Sequence, residues 1–140
     1  MKITYSGLDD VIDLIDDLVD TQKLEKGMAK AVLLVEREAK MNAPRDNGDL
    51  ARSITSKVET SGGEVEGTVF TPLHYAPYVE YGTGLFAEDG DGRKDVPWNY
   101  QDDEGNWHST SGQKPQPFMR PALDENREQI LLILKGALTE

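Results

Sequence analysis

With 140 residues, 37% of them hydrophobic and 29% charged, the chain has the size and polarity of one globular domain, 1–140, with a single core. The absence of cysteine excludes disulfides, thiol nucleophiles and thiolate metal sites. A net charge of −11 argues against sequence-specific nucleic-acid binding, which needs clustered Lys and Arg on the phosphates.

Two readings of the charge remain: it keeps the surface solvated, or it forms an acidic wall past which DNA slides without sticking. The longest apolar run, Ile130 to Leu134, is far short of the roughly 20 residues that cross a bilayer. The opening "MKITYSGLDD" has one lysine and no apolar core, so no signal peptide and no membrane role are expected. The missing cysteines fit a reducing cytoplasm.

Along the chain, Leu8, Val11, Ile12, Ile15, Leu18 and Val19 mark one face of a first helix, with aspartates over the rest. Ser6 with Asp9 resembles its N-terminal cap, and the acid from Asp16 to Asp20 opposes its dipole at the other end. Thr21 is read as the cap of a second helix, buried along Leu24, Met28, Ala31, Val32, Val35 and Ala39. Gly27 inside it costs up to about 1 kcal/mol relative to alanine, which packing must offset. Asn42-Ala43-Pro44 ends the helix, because a residue before proline avoids the helical region.

"RDNGDL" is turn chemistry. Beyond it Leu50, Ile54 and Val58 read as one side of a half-buried strand, interrupted by Arg52 and Ser56. Ser61-Gly62-Gly63 turns the chain and Val65, Gly67 and Val69 return it, giving a β-hairpin from Leu50 to Phe70. Residues 85–116 read as a long loop insertion, with a small hairpin of Trp98 and Tyr100 against Trp107 around the Asp102 to Gly105 turn. Pro121 opens a last helix on Leu123, Ile130, Leu134 and Leu138, with Leu131 and Ile133 widening the apolar arc. One side of that helix would meet its own sheet and the other a neighbouring subunit. The sum is an α+β domain: two N-terminal helices, a small antiparallel sheet carrying the insertion, and a C-terminal helix packed on the sheet.

Catalytic patterns are sparse. The two histidines, His74 and His108, show no HExxH spacing, and a zinc site would need both plus a carboxylate. No GxSxG elbow, P-loop or GxGxxG occurs. "EDGDGRKD" offers Asp89, Asp91 and Asp95 as oxygen donors, but the EF-hand glutamate is missing, since its place falls on Tyr100. Glu80, set among tyrosines in "YAPYVEYGTG", has no evident second titratable partner. The reading is therefore no enzyme, no cofactor and no metal. A small hydrolase using Glu80 with His74 and His108 stands as an alternative. So does a binding protein that recognises one other protein through its aromatic loop. Aromatic residues from Tyr75 to Phe118 are of the kind that anchor protein interfaces.

Three motifs in series carry a resemblance: "APRDNGDLARSI", "YAPYVEYGTG" and "GQKPQPFMRPAL". In this order, behind two helices, they resemble the tail-component family described for the tenth gene product of a lambdoid coliphage, encoded among head–tail joining and tail genes of long-tailed phages and prophages. The resemblance covers nearly the whole chain from Leu8 onward. It implies a virion assembly protein of the neck or upper tail, for head–tail joining or tail completion. A ring-like homo-oligomer is implied, with connector, terminator or tail-tube proteins as partners and DNA passing through the assembled channel. The place implied is the virion, reached from the host cytoplasm during assembly.

Residue roles follow from the same motifs. Pro44, Gly48 and Leu50 lead from helix to sheet. Tyr75, Tyr78, Tyr81 and Thr83 belong to the corner, whose Gly82 and Gly84 would supply positive φ. Phe118 would plug the core where Arg120 and Pro121 open the last helix. Glu80 would brace the corner, either by accepting N–H bonds from Gly82-Thr83-Gly84 or by pairing with Arg120, since a buried charge needs partners.

Overall fold

The structure is a computed structural model; it describes the backbone of residues 2–5 and, with their side chains, residues 20–45 and 48–139. The expected first helix, residues 8–19, lies outside the described residues. The elements are β1 (Lys2–Tyr5), α1 (Thr21–Asn42), α2 (Asp49–Ser53), β2 (Thr55–Ser61), β3 (Glu64–Phe70), α3 (Ala76–Tyr81), β4 (Trp98–Gln101), β5 (Trp107–Thr110), α4 (Met119–Asp124) and α5 (Arg127–Leu138). They form two compact units: Met1–Pro72 with Phe118–Glu140, and Leu73–Pro117. The architecture is α+β, with antiparallel sheets in both units.

In the first unit the sheet order is β1-β3-β2, with β3 central. Lys2 pairs with Phe70 and Tyr5 with Gly67 on one side; Thr55 pairs with Phe70 and Ser61 with Glu64 on the other. The β2–β3 turn has Gly62 at φ 59° and Gly63 at φ 85°, the double positive φ that a two-residue hairpin loop requires. Strand β1 adds a third strand where the sequence reading had only the hairpin.

Helix α1 begins at Asp20, whose Oδ1 accepts the Gln22 N–H at 2.9 Å. The cap is therefore Asp20 rather than Thr21, which becomes the first helical residue. The stripe Leu24, Met28, Ala31, Val32, Val35 and Ala39 is buried, and α1 packs on β2 and β3. It crosses the sheet at Gly67, where a Cβ would come within 2.5 Å of Val32 Cγ1 and 2.6 Å of the Met28 sulfur. On its other flank lie α4 and α5. Gly27 is the contact point, since a Cβ there would meet Ala137 Cβ at 2.8 Å. The helix-propensity cost of Gly27 is thus offset by close helix–helix approach. Leu123 and Ile130 complete the wall over Gly67 and Val69.

The helix stops at Asn42, because Ala43, ahead of Pro44, is extended at ψ 138°. Gly48, at φ 78°, then precedes α2. Here the sequence reading is corrected: Leu50 lies in a short helix, and the strand begins at Thr55. Leu50 and Ile54, 4% and 1% exposed, are four residues apart. That spacing suits one face of a helix and one side of a strand equally, so the residues alone do not choose between the two periods. The Ser53 hydroxyl donates to Leu50 O at 2.6 Å and lies 2.7 Å from Thr71 Oγ1, tying the α2–β2 junction to the end of β3.

The C-terminal helix is in two pieces. Asn126 separates α4 from α5, its side chain donating to Ala122 O at 2.8 Å. Phe118, fully buried, stands just before α4, and its carbonyl accepts Asn42 Nδ2–H at 3.3 Å. Of the arc read as buried on two sides, Ile130 and Leu134 are buried and Leu131 and Ile133 half-buried.

Candidate interaction site

The second unit, Leu73–Pro117, contains the whole of the quoted corner and all of the insertion. Tyr75 precedes α3, and Pro77 lies in its first turn, where the missing N–H is not needed. The helix ends after one and a half turns at Gly82, φ 81°, whose N–H is given to Tyr78 O at 2.9 Å. The chain then runs through Thr83 into a single 3-10 turn, Gly84–Phe86. This helix was not in the sequence reading, because six residues are too few to display a period.

Residues 83–85 lie along 111–113. Thr83 N–H donates to Gln113 O at 2.9 Å, Leu85 N–H to Ser111 O at 3.0 Å, and Gln113 N–H to the Thr83 hydroxyl at 2.9 Å. Gln116 N–H reaches Val79 O at 2.8 Å, and Glu88 N–H reaches Tyr81 O at 2.8 Å. Backbone meets backbone so closely that a Cβ on Gly82 would lie 2.8 Å from Phe86 O and 2.9 Å from Gln113 O. Gly84, at φ 60°, is tighter still against Ser111.

Within the insertion β4 pairs with β5, Trp98 facing Thr110 and Tyr100 facing His108. Asp102 organises the turn: its Oδ1 accepts the N–H of Glu104 at 3.0 Å and of Asn106 at 2.8 Å. Its Oδ2 lies 2.7 Å from His108 Nε2. The bond to His108, then the Asn106 N–H, hold the Asp102 carboxyl below its ordinary value; burial opposes them, and the Glu104 N–H adds a smaller lowering. His108 also stacks on Tyr100 with ring centres 5.3 Å apart.

A cleft of about 560 Å³ opens in this unit between α3, the 82–84 turn, the segment 87–93 and Trp98. Its aromatic walls are Tyr78, Tyr81 and Trp98, and Asp89, Asp91 and Arg93 also line it. Besides Tyr78 in the cleft, the unit exposes Leu85, Phe86, Tyr100 and Trp107, the last at 70%. This is the composition of a protein-binding face: large amphipathic rings on a rigid backbone frame.

The sequence candidates fall as follows. Pro44, Gly48, Leu50, Phe118, Arg120 and Pro121 belong to the first unit, with Leu50 and Phe118 buried and Pro44, Arg120 and Pro121 half-buried. Tyr75, Tyr78, Glu80, Tyr81, Gly82 and Thr83 belong to the second. Glu80 is fully buried, and no buried side-chain oxygen or nitrogen among the described residues lacks a hydrogen-bond partner. The Gly82 and Thr83 N–H groups offered to Glu80 in the sequence reading are given to Tyr78 O and Gln113 O. His74 is exposed, edge-on to Tyr75, and His108 is engaged with Asp102. Among the described residues no group of three His, Asp or Glu side chains is placed to hold a metal ion, so Glu80, His74 and His108 form none. No described helix is long and apolar enough to cross a membrane. Sequence reasoning missed the cleft, because its walls come from segments 20 residues apart whose pairing rests on backbone bonds; the glycines Gly82, Gly84, Gly92 and Gly112 were the signal.

A family model described as bacteriophage HK97-gp10, putative tail-component, matches residues 8–82, more than half of the chain. Nothing among the curated proteins or the solved structures matches it.

Proposed function

We propose that this chain, which belongs to the bacteriophage HK97-gp10 tail-component family, is a structural protein of the neck or upper tail that works in head–tail joining or tail completion. The observation that carries the reading is the family match over residues 8–82, which spans α1, the β2–β3 hairpin and α3. The exposed aromatic residues of the second unit add to it, because rings held on a hydrogen-bonded frame lose little conformational freedom on binding. On this reading the protein acts by contact rather than turnover. It forms a ring-like homo-oligomer, binds connector, terminator or tail-tube proteins, and enters the virion after a period in the host cytoplasm. DNA passes through the assembled channel, and the charge of −11 keeps its phosphates from adhering.

The test is assembly. Light scattering on the purified chain, with and without tail-tube protein, is expected to show a closed oligomer, alone or on the partner. Electron microscopy of labelled particles is expected to find the chain between head and tail tube. A strict monomer never recovered with particles would overturn the reading.

A further inference from the structure

The cleft is built with a charge pattern that selects its occupant. Tyr78, 58% exposed, and Tyr81, 37% exposed, line it beside Trp98. Asp89 and Asp91 also line it; both are exposed and neither carboxylate has a hydrogen bond or ion pair among the described residues. Arg93 is already engaged. Its guanidinium lies over the Trp98 ring, 5.1 Å from the centre, and its Nε–H donates to Asp95 O at 3.1 Å. The indole wall thus already carries one cation, held as a ring face and an oxygen acceptor together hold cations.

An anionic group entering here would meet two uncompensated carboxylates. A wholly apolar segment would leave them without a partner. A second copy of the chain would bring the same net charge of −11 against it, whatever surface joins copies in a ring. A Lys or Arg side chain gains both the ring face and a carboxylate. We propose that the cleft is the docking site for a lysine- or arginine-bearing segment of a different protein. On the tail-component reading, on which the partner's class rests, that protein is another tail protein. The family match ends at Gly82, so Asp89, Asp91 and Trp98 lie outside the matched residues and the cleft joins matched to unmatched sequence.

The probe is a fluorescent, end-blocked peptide of alternating Gly with Arg and Lys, titrated against the full chain by anisotropy, beside its counterpart with Glu at the basic positions. Saturable binding of the basic peptide alone is expected. Asp89→Asn/Asp91→Asn should weaken it about 3- to 10-fold, the scale of two exposed ion pairs, and Tyr78→Ala should weaken it as well. Asp103→Asn/Glu104→Gln at the hairpin turn removes the same charge elsewhere and should leave affinity unchanged. Equal weakening by both double variants would mean that overall charge alone attracts the peptide, and would overturn the proposal. So would unweakened binding by Asp89→Asn/Asp91→Asn, or no saturable binding at all. Recovery of the wild-type chain in purified tails is scored separately. Its absence there removes the tail-component reading, while the peptide titration still decides the cleft.

Discussion

In the first unit Leu24, Met28, Ile54, Phe118, Ile130 and Leu134 are at most 2% exposed. In the second unit the buried positions are Ala76, Glu80, Gly82 and Gly84, and its larger rings lie open or half-open. One unit is therefore cohesive through apolar side chains, whose burial gives about 1.5–3 kcal/mol apiece. The other is cohesive through main-chain bonds between 83–85 and 111–113, through caps such as Asp102, and through glycines that let backbones touch. Structure held by its main chain leaves its side chains free to meet something else. A surface for partners is more readily built there than on a unit that needs its large residues inside.

The sharpest way to break the comparison is to alter each kind of cohesion in turn. Leu134→Ala, at the α5 position packed against α1, is expected to destabilise the first unit by about 2–5 kcal/mol, read from the denaturant midpoint. A loss below about 1 kcal/mol would mean that side-chain burial is not what holds it. Gly84→Ala adds a methyl group at φ 60° against the Ser111 backbone. An expected loss of about 2 kcal/mol combines the left-handed backbone cost with the clash. Hydrogen exchange checks it, because the Leu85 amide should lose protection. Protection kept in full would refute main-chain cohesion at this point.

The smallest effect is acid loosening of the β4–β5 turn. The Asp102 carboxyl in the fold sits below its ordinary value of 3.8, so its contribution is present above that value and fades as pH falls through the lower, folded one. NMR of the Asn106 amide from pH 5 to pH 2 should show the loss, and Asp102→Asn should abolish the pH dependence. A wild-type turn unchanged at pH 2 would leave the carboxylate without a structural part.

What could be read beforehand divides along the same line. The α1 stripe from Leu24 to Ala39 was legible because a side-chain core imposes a period on the sequence. The Gly62-Gly63 turn and the Trp98/Trp107 hairpin were legible from local turn residues. Leu50 and Ile54 misled because a spacing of four satisfies two periods. Strand β1 is four residues long and gains its place only by pairing with β3, a non-local fact. The corner's internal bonds leave almost no trace in side-chain pattern, since their donors and acceptors belong to every residue alike. Glu80 was legible as a charge set into an apolar corner, and it is buried there.

The bonds from Thr83 and Leu85 to Gln113 and Ser111 bring the two ends of a long excursion within hydrogen-bond distance of each other. Everything between them hangs from a closed clasp. Doubling the length of such an excursion costs only about 0.6 kcal/mol in closure entropy. Phe86, Glu88 and Gly92 are held to the corner as well, so it is the segment from Arg93 to Thr110 that can be lengthened, shortened or exchanged while Thr83 and Gln113 stay clasped, which makes it a cassette in which recognition can change faster than the fold that carries it.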